Sequence, residues 1–239
     1  MLYLRSLCFH CAVLLTGALY ILLLWPAYFA PRRVGLFILK SYLKTWLWQL
    51  KAICGLSYEV RGLGQLPDGS FVCACNHQST WETLALMAIL DDPAFILKKE
   101  LRWVPGLGLI VMKAGHIWID RTGGLDATEH MLSAAGRVSK SARPVVIFPE
   151  GTRVPVDGCE PYKPGVFLLY RKLGVPCVPT AVNSGLFWHR KSWLRHPGKI
   201  TLEFLPPIEP GHSKDQFFAV LESSLRDGVR SLVEEARGF

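Results

Sequence analysis

A chain of 239 residues, 50% apolar and only 19% charged, is too rich in core-forming side chains to be disordered, collagenous or a coiled coil, and too short for two full domains. Its 27 Lys and Arg against 19 Asp and Glu leave a net charge of +8, which calls for an anionic partner: nucleic acid, phospholipid headgroups or a phosphorylated substrate. A mean hydropathy of +0.25 turns that choice toward lipid and away from nucleic acid.

The first element is an uncharged run, Leu7 to Ala30, whose 24 residues would reach roughly 36 Å as a helix, enough for a hydrocarbon core of about 30 Å. A secretory signal has an apolar region of about 7 to 15 residues closed by a small-residue cleavage site. This run is longer and ends Ala27-Tyr28-Phe29-Ala30, so it reads as a retained membrane segment. Arg32 and Arg33 follow, and along Val34 to Cys54 a helix would bring Arg33, Lys40, Lys44 and Lys51 within about 40° of one another. Leucines and tryptophans, among them Leu43, Trp46, Leu47 and Trp48, fill the remaining circumference. Such a helix suits the plane of an anionic membrane surface, or a core with one wet face. Because Pro26 interrupts the first segment, the pair forms either a span followed by an interfacial helix or a hairpin dipped into one leaflet. If the first segment spans, Arg32, Arg33, Lys40 and Lys44 outnumber Arg5 and place the remainder of the chain in the cytoplasm. The expected division is therefore 1–54 for membrane attachment and 55–239 for the working domain.

From Leu56 onward short β-rich runs alternate with helical stretches. Strands are expected at Tyr58–Val60, Phe71–Cys75, Ala94–Leu97, His116–Ile119, Val145–Phe148, Cys177–Val182 and Ile200–Leu205. Helices are expected at Thr80–Leu90, Asp126–Ser139, Gly165–Leu173 and Ser213–Ala236, the last with a continuous apolar face from Phe217 to Ala236. Alternation of this kind predicts an α/β domain. The seven cysteines form no paired C-x-x-C sets and read as reduced, small apolar residues of a cytosolic setting.

Chemistry concentrates where strands end. Phe71–Cys75 runs into Asn76-His77-Gln78-Ser79, and a helical pattern begins at Thr80. A histidine thus stands where ligands of open α/β sheets gather and where the next helix presents backbone N–H groups. On one continuous helix Glu82 would point about 140° away from His77. With His77 ahead of the helix, the turn can fold it onto Glu82, giving an imidazole oriented and made more basic by a carboxylate. The bland reading is a turn histidine beside a solvated glutamate. Lys98 to Gly106, with Ile119-Asp120-Arg121 after the next strand, and Phe148-Pro149-Glu150-Gly151-Thr152-Arg153 in a Pro/Gly turn supply cations able to grip a phosphate, or ordinary loop charge. Cys75, on the same strand face as His77, opens a covalent route against its ordinary reading as a buried strand residue. Ser79 and Ser184-Gly185 lack the G-x-S-x-G frame of a hydrolase elbow, and no cluster has metal-ligand spacing. The aromatic and basic tract Phe187–His196 reads as an interfacial loop or a solvated one.

Taken in order, Asn76–Ser79 with Glu82, Lys98 through Pro105 to Arg121, Phe148–Arg153 and Val178–Asn183 resemble the lysophospholipid acyltransferase family, most closely its bacterial 1-acyl-glycerol-3-phosphate acyltransferases. The likeness runs from about Leu56 to Leu205, with Phe148–Arg153 its most specific block. It implies an α/β fold of the glycerolphosphate acyltransferase type: a mixed sheet flanked by helices, preceded by an N-terminal membrane-associated helical segment. It also implies His77 as base, Glu82 as orienting carboxylate, Lys98, Arg121 and Arg153 as ligands of the acceptor phosphate, and Glu150, Gly151 and Thr152 as the acceptor loop. The implied activity is transfer of a fatty acyl group from acyl-CoA or acyl-carrier protein to the sn-2 hydroxyl of lysophosphatidic acid, giving phosphatidic acid for phospholipid biosynthesis. This would occur at an anionic inner membrane, facing the cytoplasm, with no metal, no cofactor beyond the thioester co-substrate and no nucleic acid. Alternatives are another lysophospholipid or glycerol 3-phosphate as acceptor, or a catalytically weak lipid-binding protein. One position departs from the family pattern, which usually has Asp where this chain has Glu82. The extra methylene displaces the carboxylate by more than about 1 Å, so either the turn compensates or the pair is weaker.

Overall fold

A computed structural model describes residues 1–27, 29–100, 114–120 and 124–238. Its first two helices, α1 (Leu2–Ala27) and α2 (Arg32–Cys54), form an antiparallel hairpin. Tyr20 meets Ser41 at 3.0 Å, Gln49 donates to Thr16 at 3.4 Å, and the Cys54 thiol donates to the Arg5 carbonyl at 3.7 Å. Gly55, in the left-handed conformation at φ 69°, ends α2 by returning its N–H to the carbonyls of Leu50 and Lys51.

Among the described residues seven strands follow: β1 (Leu56–Arg61), β2 (Val72–Cys75), β3 (Ala94–Lys98), β4 (Ile117–Ile119), β5 (Val145–Ile147), β6 (Cys177–Val182) and β7 (Gly198–Phe204). They make one sheet in the order β1-β7-β6-β2-β5-β3-β4, parallel throughout except for the antiparallel pair β6–β7. The remaining α-helices among the described residues are α3 (Trp81–Ile89), α4 (Gly124–Ser139), α5 (Gly165–Leu173) and α6 (Lys214–Arg237). Strand β2 lies in the middle and is buried on both sides, so its sequence Val-Cys-Ala-Cys is apolar at every position. Alternate residues serve opposite cores: Cys73 and Cys75 pack with α2 and α3, Val72 and Ala74 with α4, α5 and α6. The α/β architecture, the mixed sheet and the helical N-terminal segment all stand as expected; from β1 onward the strand and helix limits fall within two residues of the sequence reading, while α1 begins five residues before the uncharged run and ends three before its last residue. Helix α6 starts with a capping box: Ser213 accepts from Gln216 N while the Gln216 side chain accepts from Ser213 N.

Helix α2 serves the core and the surface at once. Leu39, Leu43, Trp46, Leu47, Leu50 and Cys54 join the core shared with Trp81 and Leu86 of α3, while Val34, Phe37 and Trp48 are exposed. Of the basic stripe, Lys44 and Lys51 are exposed, but Lys40 turns inward and donates to the Leu90 carbonyl at 2.8 Å. Arg32 is also drawn in, forking onto Asp92 at 2.5 and 2.7 Å, and Arg143 reaches the same carboxylate at 3.1 Å. Helix α1 leaves Leu4, Leu7, Leu14, Leu15, Leu19 and Leu22 exposed, and Leu2–Leu22 is long and apolar enough to cross a membrane by length and composition. The start of α1 nevertheless lies on the 187–196 loop, through Arg195 N to Ser6 Oγ at 3.0 Å and His10 Nε2 to the Trp193 carbonyl at 2.8 Å.

Candidate active site

Because β3, β2, β5 and β6 run parallel, the segments that leave them emerge at one edge of the sheet, where the expected residues collect. Strand β2 delivers His77, and Glu82 lies in the first turn of α3. The chain between them folds back as the residue types allow, and His77 Nδ1 stands 2.8 Å from Glu82 Oε1. The same oxygen accepts the backbone N–H groups of Gln78 at 2.8 Å and Ser79 at 2.7 Å. Glu82 Oε2 accepts the hydroxyls of Ser79 at 2.8 Å and Ser184 at 2.7 Å. Glu82 is wholly buried, and burial alone would raise its pKa; the bonds from His77, the Ser79 N–H and Ser184 outweigh that and hold it below the usual carboxylate value. An ionised carboxylate at Nδ1 makes that nitrogen the donor, so Nε2 carries the lone pair that can take a proton. The imidazole stacks on Phe148 with ring centres 4.0 Å apart, and with 14% of its side chain exposed it is reachable from solvent.

Strand β5, beside β2, brings Phe148–Arg153 directly around the histidine turn. Val154 N donates to the His77 carbonyl at 2.7 Å, and His77 N reaches Glu150 Oε1 at 3.4 Å. Glu150 therefore braces the backbone of the histidine. Its Oε2 is buried without a partner among the described residues, and this desolvation pushes its pKa up to about 7. Gly151 turns the loop at φ 67°, a conformation costly for a side chain. Thr152 is exposed and Arg153 half-buried, its carbonyl accepting from Arg190 at 2.9 Å. Lys98 is exposed at the end of β3, two strands from β2 and so about 10 Å along the same edge. Arg121 lies outside the described residues.

Burial closes the covalent route through Cys75. The residue is 0% exposed, its thiol donates to the Asn76 carbonyl at 3.2 Å, and desolvation, with Cys73, Glu82 and Glu150 adding to it, raises its pKa well above the ordinary value. The seven cysteines are all unpaired.

Sequence reasoning overlooked what holds the turn. Asn76 exchanges two hydrogen bonds with Val182 of β6, at 2.8 and 3.1 Å, and the Gln78 side chain accepts Gly185 N at 2.9 Å. Ser184 completes the set from 102 residues beyond Glu82. No local pattern announces these partners, since they depend on β6 lying beside β2.

The pKa of Glu150 predicts a pH dependence of stability. A carboxyl raised from about 4.3 unfolded toward 7 folded contributes stability below the lower value that is lost as pH rises through the higher. Glu150→Gln keeps the acceptor for His77 N and removes that loss. Its melting temperature is expected to match wild type near pH 5 and exceed it by roughly 5 °C at pH 8. A constant difference across that range would show that Glu150 does not titrate there.

Comparison with known proteins points the same way. Residues 57–183 match the family model described as Acyltransferase. The chain is 33% identical over 172 residues to the 1-acyl-sn-glycerol-3-phosphate acyltransferase of Pseudomonas aeruginosa, covering 72% of this chain and 67% of that one. It is 32% identical over 197 residues to the mouse (Mus musculus) 1-acyl-sn-glycerol-3-phosphate acyltransferase alpha, covering 81% and 69%. The crystal structure of the 1-acyl-sn-glycerophosphate acyltransferase of Thermotoga maritima superposes with a TM-score of 0.79 over 97% of this chain and 98% of that one. At 23% identity that likeness speaks for the fold.

Proposed function

The chain belongs to the acyltransferase family and is an O-acyltransferase, and from that premise we propose that it esterifies the free sn-2 hydroxyl of lysophosphatidic acid to give phosphatidic acid. The observation that carries this reading is the 2.8 Å bond between His77 Nδ1 and a buried Glu82, which leaves Nε2 to act as base. Nε2 takes the hydroxyl proton as the acceptor oxygen attacks the thioester carbonyl. The tetrahedral adduct collapses, the C–S bond breaks, and the imidazolium returns its proton to the departing thiolate. Glu82 stabilises the imidazolium in between. Arg153, Lys98 and Arg121 hold the acceptor phosphate, and acyl-CoA or acyl-carrier protein supplies the thioester. A panel pairing one acyl thioester with lysophosphatidic acid, lysophosphatidylcholine, lysophosphatidylethanolamine and glycerol 3-phosphate tests the assignment. Preference for lysophosphatidic acid supports it; thioester left unconsumed with every acceptor would leave a lipid binder.

Arg153→Ala is expected to raise the KM for lysophosphatidic acid by about 10- to 100-fold while the thioester KM stays within about twofold, the loss of a forked contact to phosphate. Arg153→Lys should recover only part, since an ammonium lacks the planar fork. Equal losses for both substrates would remove Arg153 from the acceptor site.

Residues 1–54 attach the enzyme to an anionic membrane, with the domain of residues 55–239 facing the cytoplasm at the inner membrane. Of the two insertion modes, the one-leaflet hairpin is favoured. The early part of α1 is tied to the 187–196 loop through Ser6 and His10, and the helix that follows it is tied to Asp92 through Arg32. A hairpin tied to one domain at its open end, by Ser6 and His10, and beside its tip, by Arg32, cannot place that tip across the bilayer. Deleting residues 1–54 would also strip Leu43, Trp46, Leu47 and Leu50 from the core, so surface substitution is the cleaner test. Leu14→Gln, Leu15→Gln, Phe37→Gln and Trp48→Gln combined are expected to weaken co-sedimentation with anionic vesicles by at least about tenfold without lowering the melting temperature by more than a few degrees. Undiminished binding would move attachment to the Phe187–His196 tract.

A further inference from the structure

We propose that Ser184 is a positioning residue for the proton-transfer pair, its hydroxyl holding the second oxygen of Glu82 and through it the imidazole of His77, in a manner that only the longer carboxylate permits. The inference rests on the acyl-transfer reading and deepens it. Glu82 Oε1 already accepts three N–H groups, from His77, Gln78 and Ser79. The orientation of the carboxylate about its own axis is then decided at Oε2, where the donors are hydroxyls. Ser184 Oγ donates there at 2.7 Å beside the Ser79 hydroxyl at 2.8 Å, the two Oγ atoms lie 2.9 Å apart, and Ser79 Oγ accepts from Trp81 N at 3.0 Å. Trp81 N thus fixes the Ser79 oxygen, and the two hydroxyls converge with their protons on one carboxylate oxygen, Ser184 reaching it from the far side of the sheet edge. Ser79 and Ser184 are both 0% exposed, so water cannot stand in for either.

The fold spends several bonds on placing Ser184. It opens the short turn Ser184–Leu186 after β6. The residue before it, Asn183, donates to the Leu232 carbonyl of α6 at 3.1 Å and accepts Thr201 N of β7 at 2.8 Å. The residue after it, Gly185, donates to the Gln78 side chain at 2.9 Å, and a Cβ there would lie 2.7 Å from Val156 Cγ2. Ser184 is therefore clamped from both neighbours, one of the clamps being the histidine turn itself. Reach explains why the carboxylate must be Glu. Its oxygens touch His77 on one side and Ser184 on the other at 2.8 and 2.7 Å. An Asp at this backbone position would withdraw by more than about 1 Å and could not keep both.

The test is a double-mutant cycle of Ser184→Ala with Glu82→Asp, measured on acyl transfer to lysophosphatidic acid. A second readout, the Nδ1–H proton resonance of His77, is taken in the substrate-free protein. Ser184→Ala is expected to lower kcat about 5- to 20-fold with both KM values within about twofold. Ser184→Cys, which preserves shape but is a weak donor, should fall with it. In the Glu82→Asp background the further loss from Ser184→Ala should be under about twofold. The His77 resonance should move on Ser184→Ala in the wild-type background and should not move on the same substitution in the Glu82→Asp background. Equal losses in both backgrounds, wild-type kcat in Ser184→Cys, or an unmoved resonance would overturn the proposal. If Ser184→Ala does not fold, the Ser184→Cys comparison decides by the same criteria. If wild type transfers no acyl group to lysophosphatidic acid, the functional reading fails while the resonance still decides the role of Ser184.

Discussion

His77→Ala is expected to slow acyl transfer by about 10² to 10⁴, the usual cost of losing a general base. The fold should survive. Glu82 keeps the N–H groups of Gln78 and Ser79 and the hydroxyls of Ser79 and Ser184, so its buried charge remains compensated without the imidazole. The ring's other tie is the stack on Phe148, a partly buried side chain, and its loss should lower the melting temperature by only a few degrees. Binding of lysophosphatidic acid, measured by calorimetry, should stay within about threefold of wild type, because the proposed phosphate ligands lie on other loops. Full activity in this variant, with thioester consumed in step with product, would take His77 out of the chemistry. Cys75 could not replace it, since its thiol is buried and its pKa raised.

Glu82→Asp should lower kcat by about 10- to 10²-fold, even though the substitution brings the chain closer to the family pattern. The turn is built around the longer side chain: five donors lie between 2.7 and 2.8 Å of its two oxygens. Shortening the side chain leaves one end of that array unsatisfied, either the imidazole or the Ser184 hydroxyl. Glu82→Gln should be damaging but milder than His77→Ala. Its carbonyl can still accept from the ring while the charge that stabilises the imidazolium is gone. An Asp variant as active as wild type, or more so, would show that the backbone relaxes to meet either length and that Glu82 is a tolerated departure.

The alternation of short apolar runs with helical periodicities was enough to place strands and helices, because burial in a sandwiched sheet leaves its mark residue by residue: β2 is apolar at each position and α6 carries Phe217, Leu221 and Leu225 on one face. The His77–Glu82 pair was legible for a related reason, being a local event between a strand end and the first turn of the next helix. Two matters were not local. Lys40 reads as a member of a membrane-facing stripe and Arg32 as a positive charge flanking the first segment, yet packing of α2 against α3 turns them to the Leu90 carbonyl and Asp92. Ser184 looks like any serine after a strand. Its hydroxyl reaches Glu82 only because β6 pairs with β2, a choice among strand neighbours that depends on the summed burial of both sheet faces and leaves no trace at either residue.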